Sequence, residues 1–247
     1  MRIKKVLVDV LKNCPPAYVG ASKIFHMMNR GFKPGNYGAP DAIYRAFERT
    51  KTGNGKASTG DYYEFGLFKG YTFWFAHDAC KRLGLDDVRF YGFDSFKGMP
   101  EIVGIDKANK EFYKGQFVCS KEQVIENLTQ HGVDWSRTEL IEGFYEDVLN
   151  ENLRRKHPFG KAAVAFLDCD LYTSTSEVLK WLRPYLVEGS IAIFDDWSTF
   201  GGNSELGQRK ALADFLKANP QFDAEDLGSF PINGKTFLFH VKKEGSN

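Results

Sequence analysis

At 247 residues, with 43% hydrophobic and 26% charged side chains, the chain has the size and make-up of a globular body that buries a full core without staples. That composition excludes a disordered or collagen-like chain. The net charge of +1 is unevenly placed: residues 1–60 hold 11 Lys/Arg against 3 Asp/Glu, and the remainder holds 22 against 29. The basic segment either faces an anionic partner or is a solvated face that complements an acidic body.

Cys14, Cys80, Cys119 and Cys169 form no C-x-x-C pair, so they read as reduced thiols and not as a zinc knuckle or dithiol site. The N-terminal basic residues precede only a short apolar stretch, Val6–Leu11, which contains Asp9. That is too short for a secretory signal, and no run approaches the ~20 apolar residues that span a bilayer. A cytoplasmic protein without membrane contact is expected.

Along the chain, residues 1–60 are the least legible. Asp41 is placed to cap a helix running to about Arg49, because Ala42, Ile43, Ala46 and Phe47 share one face. The glycine-rich stretch Lys51–Gly60 reads as a loop or boundary. From Asp61 short apolar runs alternate with helical patterns, the signature of a parallel sheet with crossover helices. Strands are expected at Tyr62–Phe65, Val88–Phe93, Glu139–Glu142, Ala162–Leu167, Ser190–Phe194 and Thr236–Val241, with another near Phe222. One helix is expected from about Gly70 to Leu83, with Gly84 as C-cap. Two more open on the capping boxes Ser120-x-x-Gln123 and Ser174-x-x-Glu177, and a fourth runs from Ser204 toward Ala218, stopping before Pro220. Two long loops, Ser95–Ser120 and Ser198–Gly207, are either lids or plain surface connections.

Ligands of an open parallel sheet bind beyond the carboxyl ends of its strands. Those ends read Glu64-Phe65-Gly66, Asp94-Ser95, Glu142-Gly143, Asp168-Cys169-Asp170 and Asp195-Asp196, so each carries an acid. After the first strand the glycines Gly66 and Gly70 stand in a G-x-x-x-G spacing, followed by Thr72, and not in the G-x-G-x-x-G of dinucleotide folds. An acid just before the first glycine repels pyrophosphate and suits a cationic ligand, of which S-adenosylmethionine is an example. Asp94, 28 residues after Gly66, is placed to accept ribose hydroxyls, although that geometry is shared with dinucleotide sites. Glu142, Gly143 and Phe144 fall where an adenine would rest.

The stretches Gly60-Asp61-Tyr62-Tyr63-Glu64-Phe65-Gly66, Asp94-Ser95-Phe96-Lys97-Gly98-Met99-Pro100, Asp168-Cys169-Asp170-Leu171-Tyr172-Thr173-Ser174-Thr175 and Asp195-Asp196-Trp197 resemble the macrocin and mycinamicin O-methyltransferase family, over roughly residues 59–216. Trp197 departs from the family's usual tyrosine. The resemblance implies a Rossmann-like class I methyltransferase fold: a seven-stranded, mostly parallel sheet with helices on both faces, as a domain over 59–247, preceded by an N-terminal helical extension over 1–58. It implies S-adenosylmethionine as methyl donor, with Glu64, Gly66, Gly70, Thr72, Asp94, Ser95, Glu142, Gly143, Phe144 and Asp168 around it. It further implies a hydroxyl of a sugar or glycosylated small molecule as acceptor, and homo-oligomers are common among its members.

If the fourth and fifth strands are neighbours, as in that family, their terminal acids lie ~4.8 Å apart and repel unless a cation sits between them. An all-oxygen set suits Mg²⁺, with Asp168, Asp195 and Asp196 as ligands. A sugar hydroxyl is a weak nucleophile, and Asp168 or Asp170 is the candidate base. No two of the five histidines, His26, His77, His131, His157 and His240, lie at i, i+4, and neither a G-x-S-x-G elbow nor a P-loop occurs. An NAD-dependent oxidoreductase is the alternative enzyme class and a non-catalytic adenosylmethionine-binding protein the alternative role. A nucleic-acid substrate is disfavoured by the near-zero net charge.

Overall fold

The computed structural model describes residues 32, 38–52 and 60–242. Of the basic N-terminal segment and its Cys14 and His26, therefore, only Phe32 and the stretch beginning at residue 38 lie within the described part. The first helix among the described residues, α1 (Ala39–Thr52), places Ile43 and Phe47 at full burial, as the 3.6-residue periodicity requires. Asp41 is not its cap. The helix opens at Ala39-Pro40, where proline's missing N–H costs nothing, and Asp41 lies inside the first turn paired with Arg45 at 2.9 Å.

Five parallel strands follow: β1 (Asp61–Phe65), β2 (Phe90–Asp94), β3 (Thr138–Glu142), β4 (Ala162–Leu167) and β5 (Ile191–Phe194). The hairpin β6 (Phe222–Phe230) and β7 (Gly234–Val241) completes a seven-stranded sheet of order β3-β2-β1-β4-β5-β7-β6, with β7 antiparallel to both neighbours. The order reverses at β1/β4, the switch point of a doubly wound sheet, where a crevice opens at the carboxyl ends.

Between the strands lie α2 (Tyr71–Leu83), α3 (Lys121–Gln130), the short α4 (Tyr145–Val148) and α5 (Glu151–Lys156), then α6 (Tyr172–Leu182) and α7 (Gly207–Ala218). Strand side chains alternate between two cores. Tyr62, Val164, Phe166 and Ile193 face a layer built from α1, α2 and α3; Tyr63, Phe65, Leu167 and Phe194 face one built from α5, α6 and α7. Both faces are covered, which is why β4 reads as an unbroken apolar run.

The expected caps are met unevenly. Gly84 closes α2 in the left-handed conformation at φ 68°. Ser120 caps α3 by accepting the Gln123 N–H at 3.3 Å, but the Gln123 side chain accepts from the Cys119 thiol instead of returning the bond. The Ser174 box fails: α6 begins two residues earlier, Leu171 supplies no side-chain cap, and Ser174 is buried within the first turn. The helix after Ser204 starts at Gly207. Among the described residues no helix is long and apolar enough to cross a membrane, and Cys80, Cys119 and Cys169 are unpaired and buried.

Candidate active site

The strand register brings the terminal acids together. Leu167 pairs with Phe194, Phe65 with both Leu167 and Phe93, and Asp94 with Glu142. One residue further along, Glu142, Asp94, Gly66, Asp168 and Asp195 form a single row across the edge of five strands. Backbone bonds carry the ladder to this point, from Gly66 N–H to Phe93 at 2.9 Å, Asp168 N–H to Phe65 at 2.9 Å and Asp195 N–H to Leu167 at 3.1 Å.

Gly66 adopts φ 93°, and a Cβ there would lie 1.9 Å from the Asp168 carbonyl oxygen, so only glycine lets the ends of β1 and β4 approach this closely. Gly70, at φ 83°, stands at the N-cap of α2 against Leu128 and Val124. Asp94 braces the turn between them: its carboxylate accepts the N–H groups of Leu67 at 2.7 Å, Phe68 at 3.1 Å and Phe96 at 2.7 Å. Burial raises its pKa against those bonds. Ser95 works within its own turn, donating to Gly98 O and accepting the Lys97 N–H.

Glu64 lies two residues before Gly66, behind the row, and is fully buried. Its carboxyl meets the Tyr62 hydroxyl at 2.5 Å and the Thr72 hydroxyl at 2.7 Å, and burial pushes its pKa up to about 8 despite both bonds. Glu142, Gly143 and Phe144 end β3 at the far side. Glu142 is exposed with Lys121 at 3.6 Å, Gly143 holds φ 144° with its N–H on Asp94 O, and Phe144 begins α4.

At the other end of the row, ligand oxygens of Asp168, Asp195 and Asp196 all lie within 4.8 Å of one another. Burial and then the neighbouring charges of Asp195, Asp196, Asp170 and Glu64 hold the Asp168 pKa well above the carboxylate range. Asp196 is pushed up to about 6 by burial. Asp170 stands beside this trio in a left-handed conformation, φ 54°, with its N–H on Asp196 Oδ2 at 3.2 Å; burial, then Asp196 and Asp195, raise its pKa. Among the described residues no salt bridge reaches Glu64, Asp94, Asp168, Asp170 or Asp196. Glu64 is a buried carboxylate without an ion pair, which fits a cationic ligand, and the half-buried Asp168, Asp195 and Asp196 bring three carboxylates into one small volume, a donor set that fits a hard divalent ion.

Three residues complete the arrangement without any mark in the sequence. Gln208 of α7, fully buried, donates to Leu167 O at 2.9 Å and accepts the Asp196 N–H at 3.0 Å, stapling the end of β4 to that of β5. Thr199 donates to Asp196 Oδ1 at 3.0 Å. Asp106, in the loop after β2, caps α6 in place of Ser174. Gln208 and Asp106 reach partners 41 and 66 residues away, so no local spacing reveals them, while Thr199 lies three residues after Asp196 in a loop without a regular pattern.

The family profile for macrocin O-methyltransferases (TylF) matches residues 48–221, which include every residue of this row. The chain belongs to this family. As a macrocin O-methyltransferase family member, it is 32% identical over 145 residues to 8-demethyl-8-(2,3-dimethoxy-alpha-L-rhamnosyl)-tetracenomycin-C 4'-O-methyltransferase of Streptomyces olivaceus; the match covers 56% of this chain and 53% of that protein. It is 28% identical to mycinamicin III 3''-O-methyltransferase of Micromonospora griseorubida over a stretch covering 56% and 55%. This family member thus aligns with about half the length of these curated relatives. Its fold is that of the O-methyltransferase NovP (TM-score 0.68, 20% identity, covering 83% of this chain and 79% of that one) and of the calicheamicin methyltransferase CalS11 (TM-score 0.64, 25% identity, 81% and 77%).

Proposed function

We propose that the protein is an S-adenosylmethionine-dependent O-methyltransferase that acts, with divalent-metal assistance, on a sugar hydroxyl of a glycosylated small molecule. The observation that carries this reading is the row of acids across β3, β2, β1, β4 and β5, which ends in the Asp168, Asp195 and Asp196 trio. The named activities of the two curated relatives, both O-methyltransferases of glycosylated natural products, support the acceptor class. Three buried, unpaired thiols agree with a cytoplasmic setting.

In this reading Glu64, with Thr72 and Tyr62 behind it, receives the donor's ammonium group. Gly66 and Gly70 give the turn that lets it approach, Asp94 and Ser95 border the ribose, and Glu142, Gly143 and Phe144 border the adenine. Asp168, Asp195 and Asp196 would hold Mg²⁺. When bound, S-adenosylmethionine supplies an electrophilic methyl on its sulfonium, and Mg²⁺ lowers the pKa of a hydroxyl beside it.

The chain's own part is to take the proton and hold the acceptor. Asp168 accepts the hydroxyl proton at a carboxylate oxygen. Asp170, beside it, is the second candidate, and burial with the neighbouring carboxylates raises the pKa of both. The two long loops meet through the rings of Phe112 and Phe200, 6.1 Å apart, and act as lids that exclude water and keep the acceptor in line. The N-terminal 58 residues are an extension to the methyltransferase domain of residues 59–247.

The test is methyl transfer from labelled S-adenosylmethionine to a panel of glycosylated acceptors, read by mass spectrometry with Mg²⁺ or with EDTA. Transfer that needs Mg²⁺ and falls at least ~100-fold in Asp168→Ala is expected. Donor binding without transfer to any acceptor would leave a non-catalytic binding protein. Binding of NAD in preference to S-adenosylmethionine would overturn the reading.

A further inference from the structure

Asp106 is a fully buried carboxylate on a short turn, Gly104–Ala108, within the loop that follows β2. Its two oxygens are spent on the start of α6. Oδ1 accepts the Tyr172 N–H at 2.7 Å; Oδ2 accepts the Thr173 N–H at 3.1 Å and the Thr173 hydroxyl at 2.8 Å. These amides are among the unpaired donors of a helix N-terminus, where the backbone dipole also favours a negative charge. Leu171, at the cap position, has no side chain able to serve them, and Ser174 is already inside the helix. A residue 66 positions upstream therefore does the work of a local cap.

What precedes α6 gives this contact its importance. Asp168, Cys169 and Asp170 lead directly into Leu171 through a tight turn closed by the Leu171 N–H on Cys169 O at 2.5 Å. Asp170 holds φ 54°, a conformation that costs a non-glycine residue of order 1 kcal/mol or more and persists only where both sides are fixed. On one side the segment is tied to β1 and β5 by the Asp168 and Asp195 backbone bonds and by Asp196 Oδ2. On the other, the start of α6 is tied to the loop by Asp106. Just before Asp106, Val103 at the cap of the turn and Ile105 within it stay exposed, at 46% and 37%. The turn thus holds the start of α6, two residues after Asp170, at its buried side while presenting apolar side chains outward.

We infer that Asp106 is a positioning residue that locks the Ser95–Ser120 loop to the start of α6, directly after the Asp168–Leu171 segment, so that the order of the loop and the placement of the aspartates are coupled. The link to catalysis rests on the methyltransferase reading; the mechanical coupling does not. Loss of the carboxylate frees both ends together, because the loop has lost its anchor and α6 its cap.

The experiment compares wild type, Asp106→Asn and Asp106→Ala by hydrogen–deuterium exchange with mass spectrometry. Peptides spanning 100–110 and 168–175 are expected to lose protection together, at least tenfold in Asp106→Ala and less in Asp106→Asn, whose amide oxygen still accepts one N–H; β1 and β4 stay unchanged. Loosening of the α6 start alone, or of the loop alone, would overturn the coupling. In methyl-transfer assays well below the melting temperature, kcat is expected to fall about tenfold in Asp106→Asn with the donor's dissociation constant within about twofold. Unchanged kcat at reduced thermal stability would show a cap and nothing more. Wild type with no transfer would overturn the methyltransferase reading, while the exchange data would still decide the coupling.

Discussion

Asp196→Asn in the metal-free protein isolates the electrostatics of the trio. With ligand oxygens of Asp168, Asp195 and Asp196 within 4.8 Å of one another, each ionised pair repels by about 3 kcal/mol at an effective dielectric constant of ~20. With all three ionised one charge takes part in two such pairs; a shared proton leaves it a single pair, which sets the magnitude. At 2–4 °C per kcal/mol for a chain of this size, removing one charge at pH 8 in EDTA raises the melting temperature by up to about 6–12 °C. Saturating Mg²⁺ stabilises wild type instead, by about 2.7 kcal/mol at one hundred times its dissociation constant, and the variant loses most of that gain. The pH dependence has a definite sign. Asp196 has its pKa raised from 3.8 to about 6, so the folded state holds a proton that the unfolded chain releases. Its contribution to stability is complete below pH 3.8 and is lost as pH rises through about 6, and the advantage of the variant grows over the same window. Scanning calorimetry from pH 4 to pH 8, with and without Mg²⁺, measures all of this. A variant that melts at or below wild type at pH 8 in EDTA, or that keeps the full Mg²⁺ gain, refutes the reasoning.

Three further outcomes follow from single contacts. Donor affinity, measured by titration calorimetry, is expected to rise with pH until about 8 as Glu64 ionises to meet a cationic ligand, and to become nearly pH-independent in Glu64→Gln, which keeps partners for Tyr62 and Thr72. Gln208→Leu strands the Asp196 N–H and leaves the Leu167 carbonyl with the Asp195 N–H as its remaining donor, so urea unfolding should show a loss of about 1–3 kcal/mol. Gly66→Ala forces a Cβ onto the Asp168 carbonyl in a backbone conformation that alanine disfavours. A loss of about 3 kcal/mol or more is expected, together with weaker Mg²⁺-induced stabilisation; a fully stable variant contradicts the close approach.

Much of this site is legible along the chain because its parts are periodic or punctuated. An apolar run of strand length, a glycine turn and then a helical pattern announce each βα unit. Acids at the ends of β2, β3, β4 and β5 stand out because they interrupt apolar runs. The Asp-Ser-Phe-x-Gly-x-Pro and Asp-x-Asp-Leu-Tyr phrases are specific enough to point to the family that the profile match shows. The misreadings share one cause: Ser174 and Asp41 each satisfy a local capping pattern, yet helices start where the chain leaves the sheet or meets a proline.

Local sequence thus determined the elements, the acids at their ends and the glycines between them, since hydrophobic period and turn chemistry are properties of neighbouring residues. Tertiary structure alone decided that these acids fall in one row, because register and strand order are settled by packing between elements far apart in the chain. It also assigned the supports, Gln208 across the ends of β4 and β5 and Asp106 beneath α6. Buried hydrogen-bonding groups must find partners, and the partner is whichever side chain the fold delivers, at any distance in sequence.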